Sequence, residues 1–295
     1  MATNLTDTVF KDTYKDDFTD SANFHRILFN SGRALQAREL TQLQTILQTE
    51  IQRFGANIFK EGGKVNGGNI TLNRREFIKL ATNALPADSS TVVGETFTDG
   101  TGIKVKVLKA VDATGSDPDT IYVEYIDTLT GTAGTDQVRC ANGGTLTHSA
   151  GTLDPMTIAS SDATGRGLEA SVTQGNFFVQ GHFVFVKAQS IFVSKYEAKP
   201  TKEIGFKIVQ DIVSTSDNSA LFDNQAASPN EAAPGADRLR ITLTLSLKEN
   251  LAASDNFVFL GEVVSGTMSK EVTNDDAYNT LGNVLARRTK EESGD

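Results

Sequence analysis

At 295 residues, 38% of them hydrophobic, the chain can bury a sizeable core, as one large domain or about two to three small ones. Its net charge of −9, from 37 acidic against 28 basic residues, sets the bulk surface against a polyphosphate backbone, so no nucleic-acid partner is expected. The single cysteine, Cys140, excludes an intrachain disulfide and a cysteine-based metal cage.

That cysteine usage fits synthesis in a reducing cytoplasm. No run approaches the roughly 18 apolar residues of a membrane helix, and the N-terminus lacks a basic-then-apolar leader pattern, so a soluble, non-secreted chain without a membrane partner is expected. The 25 glycines among Thr, Ser and Asp favour many turns and short strands over a helical bundle.

Residues 1–22 are polar and acidic, with apolar residues too scattered for a core of their own. Two readings stand side by side: a disordered tail, or an extended arm that docks Phe10, Tyr14 and Phe18 onto another surface and orders when a partner buries them. The four-residue spacing of those anchors also fits one face of a short helix.

From Ala34 to Phe54 the chain has no Gly, Pro or Asn and is rich in Gln, Glu, Arg, Leu and Ala, which predicts a long helix with Gly55 as its C-terminal stop. Leu40, Leu43, Leu47, Ile51 and Phe54 follow at steps of three, four, four and three, all on one face. This narrow seam, flanked by Gln, Glu and Arg, suits either a helix lying on its own sheet or a coiled-coil contact between copies.

The next stretch, NIFKEGGKVNGGNITL, reads as a meander, with Asn66-Gly67 as a hairpin turn and Ile58, Phe59, Val65, Ile70 and Leu72 as core candidates. After Pro86 the texture turns to Thr, Asp, Ser and Gly, and KVKVLKAV and IYVEYI should pair across DATGSDPD. GNFFVQGHFVFVKAQSIFV offers Phe177, Val179, Phe183, Phe185, Ile191 and Val193 to a core. DRLRITLTLSLKEN alternates cleanly, placing Leu239, Ile241, Leu243, Leu245 and Leu247 on one face. Residues 274–290 read as helical, with Tyr278, Leu281 and Leu285 as an apolar stripe.

Catalytic signatures are absent: there is no GxSxG, HExxH, GxxxxGK[ST] or CxxC. His25 reads as locally hydrogen-bonded, His182 as a turn or core residue, and Cys140 near His148 lacks anything to lower a thiol pKa. The acidic pairs Asp16-Asp17, Asp117/Asp119 and Asp275-Asp276 lack calcium-loop spacing. No enzyme activity, cofactor or metal is expected.

The stretch FHRILFNSGRALQARELTQLQTILQTEIQRFGANIFKEGGKV, with GNFFVQGHFVFV, SPNEAAPGADRLRITLTL and LARRTKEESGD, resembles a family of large structural proteins of tailed bacteriophages, a domain without assigned chemistry. The likeness covers most of the chain and is weakest across 86–170. It implies a tail or baseplate component of the virion, assembled in the host cytoplasm, that attaches or forms part of tail fibres. It further implies an assembly role for Gln36, Arg38, Glu39, Leu40, Leu43, Leu47 and Ile51, and a packing role for the turn at 233–238. In relatives the final element continues into further domains.

The expected fold is β-rich α+β: an N-terminal extended arm and one long helix followed by antiparallel β-domains. Its expected parts are a docking arm (1–32), helix plus hairpins (33–85), a small inserted β-domain (86–170), an antiparallel β-domain (171–273) and a C-terminal helix (274–295). Other tail or baseplate proteins are the expected partners, beside a homo-oligomer, first a trimer, whose interface uses Phe10, Tyr14, Phe18, Leu40, Leu43, Leu47, Ile51 and Phe54. The rival reading is a receptor-binding, carbohydrate-binding fibre module, although Trp, the commonest sugar-stacking residue, is missing.

Overall fold

The structure, a computed structural model, describes residues 18–127, 139–225, 231–272 and 277–293, the side chains of the last segment from residue 284 onward. The chain enters α1 (Ala37–Ile58) and continues into β1 (Gly63–Gly67) and β2 (Ile70–Lys79). Next come β3 (Thr96–Thr98), β4 (Lys104–Val111), β5 (Thr120–Asp127), β6 (Thr145–His148), β7 (Met156–Thr157) and β8 (Thr164–Val172). The rest comprises β9 (Gly175–Val179), β10 (His182–Val186), β11 (Gln189–Ser194), β12 (Lys202–Val213), β13 (Arg238–Leu247), β14 (Asn256–Val264), β15 (Thr267–Glu271) and α2 (Ala277–Ser293). The fold is β-rich α+β, with antiparallel sheets behind one long helix near the N-terminus.

Three sheets form: β1-β9-β10, the eight-stranded β11-β8-β2-β5-β4-β3-β6-β7, and β13-β12-β14-β15. Two cores form. One joins the inward faces of β8, β9, β10, β12, β13 and β14, where the ring of Phe177 meets that of Phe206 edge-on at 4.9 Å. The other gathers Ile78, Phe97, Val105, Val107, Ile121, Leu146 and their neighbours.

The ten residues of β2 serve both cores: Ile70 and Leu72 pack on the first and Ile78 is fully buried in the second. β8 gives Leu168, Ala170 and Val172 to the first core, and Ala163, just before it, belongs to the second. The expected change of domain at 170/171 thus falls inside β8, a strand paired with β2 from Thr164 to Val172. Cross-strand ion pairs tie this double-duty pair together. Arg166 pairs with Glu76, and Arg75 Nε lies 2.7 Å from the Glu169 carboxylate, which is 6% exposed.

Four expectations from the sequence are corrected. Helix α1 does not stop at Gly55 but runs through it to Ile58, because Gly55 is a point of close approach to the body rather than a cap. No hairpin closes at Asn66-Gly67: β1 pairs with β9 and β2 with β8 and β5, so this turn carries the chain from one sheet to another. Gly67 and Gly68 both adopt positive φ there, with the Gly68 N–H donating to Gln174 O across 3.0 Å. Phe183 and Phe185 are 41% and 58% exposed, because in β10 the inward positions are those of Val184 and Val186. Leu239 is also exposed at the end of a strand whose Leu243, Leu245 and Leu247 are buried.

The pairing expected of KVKVLKAV with IYVEYI is present as β4 and β5. The hairpin β9–β10 turns on Gln180 and Gly181, both at positive φ, as a two-residue turn compatible with strand twist requires.

Candidate functional site

Helix α1 begins with a reciprocal cap. The Gln36 N–H donates to Glu39 Oε2 over 3.0 Å, and the Gln36 side chain accepts from the backbone of Glu39. At about 100° per residue, three longitudinal strips of the helix have three different fates.

The first strip docks on the body. Gln48 Nε2 donates to Gly181 O at 2.9 Å, Gly55 lies flat on the ring of Phe178, and Phe59 contacts the rings of Phe178 and Phe183 at 6.1 and 5.7 Å. The second strip meets the segment that precedes the helix. Ile46 is buried beside Phe18 and Phe24, and Arg53 joins Asp20 at 2.7 Å and Glu50 at 3.3 Å. His25 stands 3.9 Å from Glu50, both largely exposed.

The third strip is the apolar seam, and it faces outward. Leu40, Leu47, Ile51 and Phe54 are 43%, 57%, 47% and 66% exposed, and Leu43 is half-buried at the strip's margin. The structure therefore brings Phe18 against the helix and leaves four of the five seam residues open; Phe10 and Tyr14 lie outside the described residues. Ile46, which anchors the helix to its preceding segment, stands off the seam and was invisible as a period-3.6 hit. What marks it is its place one position before Leu47, on the neighbouring strip.

The outward seam has company. Of the seventeen large apolar residues exposed among the described residues, eight fall between Phe24 and Phe54, and Val284 and Leu285 on α2 add two more. α2 approaches α1. Scattered single exposures are ordinary, whereas a concentration at one end marks a contact surface. Beside the seam, an open cleft of about 760 Å³ runs between the first turns of α1 (Leu40, Gln44) and the start of β13 (Arg238, Leu239), with His182 in its wall.

Cys140 and His148 are both buried. Cys140 is 3% exposed, and burial, with the Asp99 carboxylate adding to it, pushes its thiol up to about 12. His148 is equally enclosed: its Nδ1 accepts from the N–H groups of Thr152 and Leu153 at 3.2 Å, which leaves Nε2–H to donate to Glu95 Oε2 at 3.0 Å. The ring is thus held as a turn fastener, and no hydrogen bond links it to Cys140. Asp117 pairs with Lys195, and Asp119 accepts from the Ala113 N–H, as turn carboxylates do. Among the described residues no group of three or more His, Cys, Asp or Glu could hold a metal ion, and no helix is long and apolar enough to cross a membrane.

A family model described as a domain of unknown function (DUF4815) matches residues 12–85 and 148–295. Those two segments cover well over half of the chain, including all of α1, β1, β2 and everything from β7 onward, and leave 86–147 unmatched. The chain belongs to that family. No curated protein and no solved structure matches it.

Proposed function

We propose that this member of the DUF4815 family is a structural component of a tailed-bacteriophage virion. In this reading it stands in the tail or baseplate, docks to neighbouring virion proteins and attaches tail fibres or forms part of them. It is assembled in the host cytoplasm, self-associates, and works without catalysis. The virion context comes from the sequence resemblance; the family description itself assigns no role.

The single observation that carries the assembly role is the apolar strip of α1, left open on a helix whose other two strips meet the body and the preceding segment. A helix turns an apolar face outward only where something else covers it. The body behind it suits load-bearing. β12 pairs with β13 over ten consecutive residues and with β14 on its other side, so a pull along these strands loads many hydrogen bonds together.

The test is quantitative mass spectrometry of purified phage particles whose genome encodes this chain, with labelling by an antibody to its β-body. The expected result is a fixed copy number per particle and label at the tail end. Particles that lack the chain would overturn the reading.

A further inference from the structure

We propose that the outward strip of α1 meets the same strip of two other copies of this chain, as a parallel three-helix bundle. This rests on the assembly reading above and names the partner for that surface.

Three observations select a copy of the chain itself. The first is charge. Between Asp20 and Ile58 four arginines stand against Asp20, Glu39 and Glu50, a near balance in a chain of net charge −9. The ions nearest the strip are already answered within the copy, Arg53 by Asp20 and Glu50, Arg38 by the Gln36 side chain at 2.6 Å. A symmetric contact brings every residue toward its own image, so a charged patch repels itself and a neutral one does not.

The second is area. The four open strip residues, Leu40, Leu47, Ile51 and Phe54, are each 43 to 66% exposed. With roughly 200 Å² for a fully exposed large side chain, they offer on the order of 400 Å². That is the size of an apolar patch that marks a contact surface.

The third is spacing. A strict heptad from Leu40 would place Glu50 in the seam; Ile51 takes that place, while Leu40, Leu47 and Phe54 keep seven-residue steps, so the strip follows the coiled-coil repeat of about 3.5 residues per turn. On an ideal helix such a strip drifts by roughly 20° per heptad, and a gentle left-handed supercoil keeps it on the bundle axis. Its five positions span about 80° of the circumference. This is broader than the line along which a pair of helices meets, and fits a helix touching two neighbours. The body and the preceding segment occupy the other strips and leave the bundle axis clear.

The experiment has two arms. Light scattering of the purified chain should give three times the monomer mass, and Leu47→Asp with Ile51→Asp should give the monomer with unchanged circular dichroism and urea midpoint. Both positions are about half exposed, so the variants fold. Separately, Leu40→Cys and Phe54→Cys should each form interchain disulfides on oxidation, against low background because Cys140 is buried. Cross-linking only in a mixture of the two variants would mean antiparallel helices and overturn the proposal, as would a parent protein that stays monomeric at about 100 µM. A monomer that is nevertheless incorporated into particles sinks this inference and leaves the virion role standing; a trimer absent from particles does the reverse.

Discussion

Gly55 and Phe178 are packed so closely that no methyl group fits between the helix and the ring: a Cβ at position 55 would overlap the aromatic carbons of Phe178. Because Phe178 is itself 3% exposed and held among Phe59 and Phe183, the ring has little freedom to move aside. This contact sets how α1 lies on the body and hence which strip faces outward.

Gly55→Ala is expected to destabilise the fold. Alanine gains about 1 kcal/mol of helix propensity, but overpacking against the ring costs about 1–3 kcal/mol, so the net loss is about 1 kcal/mol. In a Phe178→Leu background the steric cost disappears and the same change should stabilise by up to about 1 kcal/mol. A urea-denaturation double-mutant cycle reads the sign reversal; equal effects in both backgrounds would mean that the ring yields freely.

Position 55 also shows where sequence reasoning stops. Gly after a helical run signals a cap, and the same residue is what a close helix-to-sheet approach demands; local pattern cannot separate the two. The seam residues were legible, because period 3.6 fixes which side chains share a face, yet whether that face turned inward depended on Gly55, Gln48 and Phe178, more than 120 residues apart in part. Likewise the alternation of β13 announced Leu243, Leu245 and Leu247 as inward. In β10 the aromatic residues drew attention although the smaller Val184 and Val186 fill the core. Partner choice was the least legible feature: Asn66-Gly67 looked like a hairpin turn, and β1 and β2 went to different sheets.

The side-chain amide of Gln189 acts as a piece of backbone on the free edge of β13. Leu245 N–H donates to its Oε1 at 2.8 Å, and its Nε2 donates to Leu243 O at 2.9 Å. Gln189→Met preserves length and removes both bonds, leaving a half-buried donor and acceptor unanswered. A loss of about 1–3 kcal/mol is expected in urea denaturation. Exchange of the Leu245 amide with solvent deuterium should accelerate in step, and an unchanged rate would show that water replaces the amide.

Alkaline solution should weaken the fold. Burial raises the phenols of Tyr122 and Tyr125 above their ordinary value of 10.0, and Cys140 is pushed up from 9.0 to about 12. The folded chain therefore keeps protons that the unfolded chain releases. The stabilisation is complete below about pH 9 and is lost as pH rises toward 12, by up to about 1.4 kcal/mol per pH unit for each group. Urea midpoints measured from pH 8 to 11 should fall, and Cys140→Ala should flatten the first part of that fall. A thiol reagent should leave Cys140 untouched at pH 8 until denaturant is added.

Acid acts at the seat of α1. His182 stands next to Gly181, whose carbonyl receives Gln48, and its Nε2 is buried without a hydrogen-bond partner. Burial lowers its pKa from 6.5, since a charged ring there would give up its hydration with nothing to replace it. For a base whose folded pKa is depressed, the stabilisation is present above about pH 6.5 and is lost as pH falls through the lower, folded value. Urea midpoints of the parent should therefore decline from pH 7 to 5 more steeply than those of His182→Gln, which has no proton to gain. The difference should be accompanied by faster deuterium exchange along α1 in the parent alone. Parallel declines for the two proteins would remove His182 from any part in the acid response.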